Sequence, residues 1–216
     1  ASKQGHKYLN ITGGEPFLYD DIVEILKYTH SRGFWINVLT NGLAIDQDTA
    51  KALRNLWRLR IRVSLEGADA ETHEYFRGKN TFAKAMNAIK LLNDNGVSVG
   101  IGFTAYPENV DQIENMVKLC IENYCKVLRV VPVVRLKKGK QVQVSIKFYE
   151  DIITELLSLA IKYKKYLDLP DSSRMLIPNA IEMLTTKQCI GGSQFFGLNA
   201  EKMLFPCPLL RADENI

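Results

Sequence analysis

Short apolar runs alternate along this chain with longer stretches whose apolar residues recur at every third or fourth position. The short runs predict strands at Tyr8–Thr12, Phe34–Leu39, Leu59–Leu65, Val97–Phe103 and Val127–Val134. The periodic stretches predict helices over Asp20–Ser31, from Asp46 onward, and over Asp69–Phe76, Thr81–Asn93, Val110–Asn123 and Ser145–Tyr166. Arg32-Gly33 closes the first helix, and Arg77-Gly78 interrupts the helical pattern between Asp69 and Asn93. No two strands follow one another directly. That alternation predicts parallel strands joined by right-handed crossovers, either as a barrel or as a doubly wound sheet.

One strand departs from the apolar run expected of a buried parallel strand. In Leu59-Arg60-Ile61-Arg62-Val63-Ser64-Leu65-Glu66 one face reads Leu, Ile, Val, Leu and the other Arg, Arg, Ser, Glu. The apolar face must meet the helices. The polar face then lines a wet lumen or, were the strand at an edge, meets solvent. Its place in the middle of the series favours the lumen, and Asn10, Thr12, Asn37, Arg129 and Arg135 repeat the pattern more weakly. The expected architecture is an open, polar barrel with room for a ligand.

Composition narrows the classes. The chain has 216 residues, 46% of them hydrophobic, enough for one substantial core. A formal charge of +4 is mild, and no aromatic-basic ladder is present, so no nucleic-acid partner is expected. The basic run Arg135–Lys140 reads as a solvated loop or an anion patch. No apolar run approaches the roughly 18 residues of a membrane span, and Ala1–Lys7 lack the apolar core of a signal peptide. Four cysteines in a chain this long do not make a disulfide scaffold. No membrane partner and a cytoplasmic location are therefore expected.

In βα architectures, active-site groups gather where strands end and helices begin. Those ends read Gly13-Gly14-Glu15-Pro16, Thr40-Asn41-Gly42, Ser64-Leu65-Glu66-Gly67, Thr104-Ala105-Tyr106-Pro107-Glu108-Asn109 and Pro132-Val133-Val134-Arg135. All are polar or glycine-bearing. In the first, adjacent glycines bring bare backbone to the strand end, a carboxylate follows, and Pro16 stiffens the exit. The product is a cradle suited to a ligand ammonium group, or else an ordinary tight turn. It is not a phosphate loop, because the Lys-Ser/Thr of that motif is missing and Glu15 repels phosphate. Cys120 and Cys125 do not share a helix face and read as core residues. His6, His30 and His73 are scattered, and His73 reads as a helix-surface residue. Asp20-Asp21 reads as a helix N-cap. No Cys–His pair or Ser–His–Asp set can be placed.

Taken in order, Thr12-Gly13-Gly14-Glu15-Pro16, Leu39-Thr40-Asn41-Gly42, Val63-Ser64-Leu65-Glu66-Gly67 and His73-Glu74-Tyr75-Phe76-Arg77-Gly78 resemble the radical S-adenosylmethionine (radical SAM) superfamily, with the spacing of its peptide- and cofactor-maturing branch. The resemblance covers about residues 8–135. It implies a partial, open parallel βα barrel lacking its first strand. It also implies a cofactor site. The backbone of Gly13 and Gly14, with Glu15, would meet the methionyl ammonium of S-adenosylmethionine, and Asn41 would stand on the neighbouring rim. Ser64 and Glu66 would lie near the ribose or methionyl part. Arg77 would face the carboxylate or serve as a simple cap. Val99-Gly100-Ile101 and the strand around Val130 would flank the adenine.

One departure bears on the chemistry. The family's Cys-x-x-x-Cys-x-x-Cys loop, which holds a [4Fe-4S] cluster with one open iron, should stand one strand and one helix before Gly13. The residues before Gly13 include no cysteine, so the expectation is a core fragment, inactive as this chain alone. Toward the other end, Cys189-Ile190-Gly191-Gly192 and Leu204-Phe205-Pro206-Cys207-Pro208 flank a short hairpin-like run. They resemble the start of an auxiliary iron–sulfur domain of SPASM or twitch type, which makes Cys189 and Cys207 candidate metal ligands. The alternative is a pair of buried apolar cysteines. Asn199-Ala200-Glu201-Lys202 replaces the Asp-Gly turn expected there. The implied division is a barrel over 1–143, linking helices over 144–184 and an auxiliary segment over 185–216.

The activity implied by the resemblance is reductive cleavage of S-adenosylmethionine and hydrogen abstraction from a peptide or cofactor-precursor substrate. Ferredoxin or flavodoxin would be the electron donor. Arg60 and Arg62 hint at an acidic substrate, or are partners in structural ion pairs. Two other readings compete: a cluster-free binding or scaffold domain on the same fold, and a barrel enzyme using general acid–base catalysis, for which no acid–base pair can be placed.

Overall fold

The computed structural model describes residues 8–133, 145–163 and the strand residues 197–198 and 204–205. The chain divides into two compact units, Ala1–Ile177 and Pro178–Ile216. In the first, β1 (Tyr8–Ile11), β2 (Trp35–Thr40), β3 (Leu59–Ser64), β4 (Ser98–Ala105) and β5 (Leu128–Pro132) form one parallel sheet whose order follows the chain. Between successive strands run α1 (Ile22–Ser31), α2 (Gln47–Leu53), α3 (Ala70–Arg77) with α4 (Phe82–Asp94), and α5 (Ile113–Glu122); α6 (Ile146–Lys162) comes after β5. The sheet is an open half-barrel, as the polar lumen required. In the second unit, β6 (Gly197–Leu198) pairs antiparallel with β7 (Leu204–Phe205), between Cys189 and Cys207 in sequence. Cys189, Cys207, the turn Asn199–Lys202 and the basic run from Arg135 lie outside the described residues.

The sheet has two chemically different faces. β3 pairs with β2 on one side and β4 on the other, so its polar face is not an edge exposed to solvent. Leu59, Ile61, Val63 and Leu65 are at most 1% exposed, against α1, α2, α4 and α5, together with Ile36, Val38, Val99, Ile101 and Phe103. Each such side chain contributes roughly 1.5–3 kcal/mol of burial. The helices supply the other half of this core through Leu26, Leu53, Ala85, Ile89, Leu92, Ile113 and Met116. Cys120 and Cys125 belong to it as well, and the Cys120 thiol donates to the Cys125 carbonyl.

Local chemistry fixes the helix ends. Asp46, Asp69 and Ser145 each accept from a backbone N–H three residues on, at the starts of α2, α3 and α6. Gly78, at φ +91°, ends α3 in a conformation that L side chains rarely adopt. The Asp20-Asp21 expectation is corrected in part: Asp21 takes the N-cap position of α1 but its carboxylate makes no capping bond, because its backbone is not extended there. α6 packs on α5 through Lys162 and Tyr163, both bonded to Glu114. Those contacts hold the Glu114 carboxyl down at about 2. Among the described residues, no helix is long and apolar enough to cross a membrane.

Candidate cofactor and substrate site

The rim is held by two carboxylates, each joining one strand end to the next. Glu15, just after β1, accepts at Oε1 from the Thr40 hydroxyl (2.5 Å) and the Phe17 N–H (3.2 Å), and at Oε2 from the Asn41 N–H (2.7 Å). The β1 and β2 tips are thereby one unit. An ionised carboxylate offers about four acceptor positions, so one remains for a ligand donor. Asn41 closes a turn by accepting from Leu43 N–H at 2.8 Å, which leaves its amide N–H group for other partners. Gly13 sits at φ +135°, and a Cβ on Gly13 or Gly14 would meet nothing within 4 Å. The cradle is open above β1 while its flank is fixed.

Glu66, just after β3 and 2% exposed, accepts from Arg77 Nε and Nη2 on α3 and from the Thr104 N–H of β4 (2.8 Å). Glu66 and Arg77, assigned from sequence to separate parts of a cofactor, therefore hold each other. Asn109, fully buried, completes the joint: its amide donates to the Glu66 and Thr104 carbonyls and its carbonyl accepts from Tyr106 N–H. Phe76 stacks on Tyr106 at 4.7 Å and ties α3 to the same loop. The hydroxyl of Ser64, at the end of β3, makes no hydrogen bond among the described residues. It lies one step beyond the Thr40–Val63 pair, level with Asn41. Gly13, Gly14, Glu15, Asn41 and Ser64 thus share one rim, and Glu66 with Arg77 buttresses it.

Two expectations change. His73 is buried at 2% exposure, not on a helix surface, and its Nδ1 accepts from Glu66 N–H at 3.1 Å. Gly67 permits this approach, since a Cβ there would come within 2.5 Å of Thr72. Val99, Ile101 and Val130 do not face the hollow. Strand alternation turns them to the core, so the hollow sides of β4 and β5 are Gly100, Gly102, Arg129 and Val131. Sequence reasoning also missed Thr40 and Asn109 as rim braces. The Pro107-Glu108-Asn109 loop carried the one available signal, a turn-forming Asn.

Below the rim, Asn10, Asn37, Arg60 and Ser98 form one row across four strands. Arg62 stands opposite Gly100, and Ser64, Gly102 and Arg129 form a further row. Burial lowers the pKa of Arg60 and of Arg129, and burial with the charges of Arg129 and Arg60 pushes Arg62 down to about 10.

A profile of the radical SAM superfamily matches residues 1–120, more than half of the chain. The chain belongs to the radical SAM superfamily. The AdoMet-dependent heme synthase of Methanosarcina barkeri is 28% identical over 223 residues, covering 95% of this chain and 64% of that protein. The antilisterial bacteriocin subtilosin biosynthesis protein AlbA of Bacillus subtilis is 33% identical over 108 residues, 49% of this chain and 24% of its own length. SuiB of Streptococcus suis, solved with S-adenosylmethionine, shares the fold with a TM-score of 0.76 at 17% identity, over 96% of this chain and 51% of SuiB. SuiB has also been solved with its precursor peptide SuiA. The chain spans less than two thirds of the length of each of these proteins.

The described residues suit one of the superfamily's cofactors and not the other. The open glycine cradle, the spare acceptor on Glu15 and the unbonded Ser64 hydroxyl fit the amine and hydroxyl groups of S-adenosylmethionine. Among the described residues, no three His, Cys, Asp or Glu side chains gather as a metal site. Cys120 and Cys125 are buried in the core, away from the strand ends. No ligand set for an iron–sulfur cluster comes from this part of the chain.

Proposed function

We propose that this radical SAM chain binds S-adenosylmethionine across the tips of β1, β2 and β3 and presents it to a peptide or cofactor-precursor substrate lying in the hollow. The observation that carries this reading is the Glu15 brace. It fixes the β1 and β2 tips together while leaving the glycine backbone bare and one carboxylate position open. Gly13 and Gly14 would receive the methionyl ammonium beside Glu15, with Asn41 adjacent. Ser64 would bond the ribose or the methionyl part. Glu66 and Arg77, engaged with each other, would position the β3 and β4 tips. S-adenosylmethionine, given an electron by an iron–sulfur cluster, supplies a carbon radical that takes hydrogen from a substrate. The cluster's ligands would come from outside the described residues, Cys189 and Cys207 serving an auxiliary cluster, and ferredoxin or flavodoxin would deliver the electron. The peptide class is supported by the subtilosin biosynthesis protein and by SuiB with its precursor peptide, and the cofactor class by the heme synthases.

Calorimetry of the full-length protein with S-adenosylmethionine tests the reading. Saturable binding by the wild type is expected, weakened about tenfold or more by Gly13→Val, which forces a β-branched side chain to φ +135° at the ligand's entry. Equal affinity in the variant, or no binding by the wild type, would sink it. Circular dichroism confirms that the variant is folded.

A further inference from the structure

The hollow carries three cations that the rim does not use. Arg60 and Arg62 alternate on β3, and Arg129 stands on β5 across Gly102. The Arg62 side chain lies over Gly102, whose missing Cβ would sit 3.4 Å from Arg62 Cγ and Cδ. Arg62 thus extends across Gly102, the residue that pairs with Arg129 on the next strand. Arg60 reaches only the Ser98 hydroxyl, at 3.5 Å. Arg129 Nε is buried with no hydrogen-bond partner. Among the described residues, none of the three forms an ion pair.

The contrast with Arg77 is informative. Arg77, on the rim, is matched by the buried Glu66. The hollow-facing positions of the five strands hold Asn, Ser, Thr and Arg beside glycine, aromatic and aliphatic residues, but no acid. Gathering partly buried guanidinium groups without a counter-charge costs free energy through desolvation and mutual repulsion. Planar guanidinium forks are matched to carboxylates, which they bind in pairs of parallel hydrogen bonds. Among the described residues, the structural ion-pair reading of Arg60 and Arg62 therefore lacks its acids.

We infer that Arg60, Arg62 and Arg129 form the floor of the substrate site and grip a substrate through two or more carboxylates. This rests on the proposed radical SAM reading and names the substrate class for it. The carboxylates belong either to neighbouring acidic side chains of a peptide or to a small polycarboxylate. The site would fix the substrate's anionic end at the base of the hollow and direct the remainder toward the tips of β1–β3.

The test uses the full-length protein, with citrate, inorganic phosphate, a Glu-Glu-Glu peptide and its Gln-Gln-Gln counterpart as probes, followed by calorimetry at low and raised salt. Citrate, the Glu peptide or both should bind, with affinity falling as salt rises. Arg62→Gln and Arg129→Gln should each weaken that binding about tenfold or more, and Arg62→Lys should weaken it less than Arg62→Gln. Binding of the Glu peptide over the Gln peptide marks an acidic peptide as the substrate; citrate alone marks a small polycarboxylate. The inference is overturned if neither carboxylate probe binds, if phosphate binds as tightly as citrate, or if both Gln variants bind like wild type. S-adenosylmethionine affinity is measured on the same variants. Its loss in Arg62→Gln would assign the arginines to the cofactor and overturn the inference. Carboxylate binding in a wild type that ignores S-adenosylmethionine would leave the floor standing and remove the cofactor reading instead.

Discussion

His73 illustrates how a residue can carry weight without touching a ligand. It is buried, receives the Glu66 N–H at Nδ1, and packs 5.8 Å from the Phe82 ring. Accepting that bond requires the neutral imidazole. Burial first, and then the Arg77 charge, lower its pKa below the ordinary 6.5, with Glu74 opposing. The unfolded chain takes up the proton first as pH falls, so stability is full above about 6.5 and is lost as pH drops from there toward the folded-state value. The urea midpoint should therefore fall between about pH 7.5 and pH 5.5, and His73→Gln should flatten that fall. A gap between wild type and variant that is the same at both pH values would refute the account. At this scale the sequence was only partly legible. The Gly-Gly-Glu turn stood out because its residue types are unusual together. The buried role of His73 did not, because a single polar residue on a helix carries no sign of which backbone group it will meet.

Among the elements, β4 shows how two glycines with one residue between them do different work. A Cβ on Gly100 would lie 2.8 Å from the Val127 carbonyl oxygen and 3.2 Å from Val127 Cβ, so backbone would have to move. A Cβ on Gly102 would meet only the flexible side chain of Arg62, at 3.4 Å from its Cγ and Cδ and 3.6 Å from its Nε. Gly100→Ala should therefore destabilise by about 1–3 kcal/mol, and Gly102→Ala by clearly less, as read from urea unfolding. Equal costs would show that Val127 yields freely. The strands and helices themselves were legible because period-two and period-3.6 patterns are strong in this chain. The Arg-Gly break at Gly78 also falls as read. Less legible was which residues of β4 and β5 face inward, since the hollow side of β4 carries two glycines at its centre and that of β5 sets Arg129 beside the apolar Val131.

On the scale of the molecule, the sheet separates an apolar face that stabilises the fold from a polar face that does not. The arginine floor is the clearest case. The depressed pKa of Arg62, about 10, means that its charge is held at a disadvantage in the folded chain. Arg62→Gln should raise the thermal midpoint of the ligand-free protein, by about 1–4 °C on the scale typical of single substitutions. Added salt should raise the wild-type midpoint more than the variant's, because salt screens repulsion that the variant lacks. A lower midpoint in Arg62→Gln would mean that the guanidinium stabilises the fold. The polar face was legible from the alternation in β3 alone. The convergence of Arg129 with Arg62 was not, because it depends on the register of two strands with β4 between them.

The order of the strands has a consequence for how such a molecule comes into being. Each strand lies beside the one made just before it, so every newly synthesised strand–helix pair finds its docking edge already waiting. The structure can grow by accretion from the ribosome, one layer at a time, with no need to hold an edge open for a distant segment.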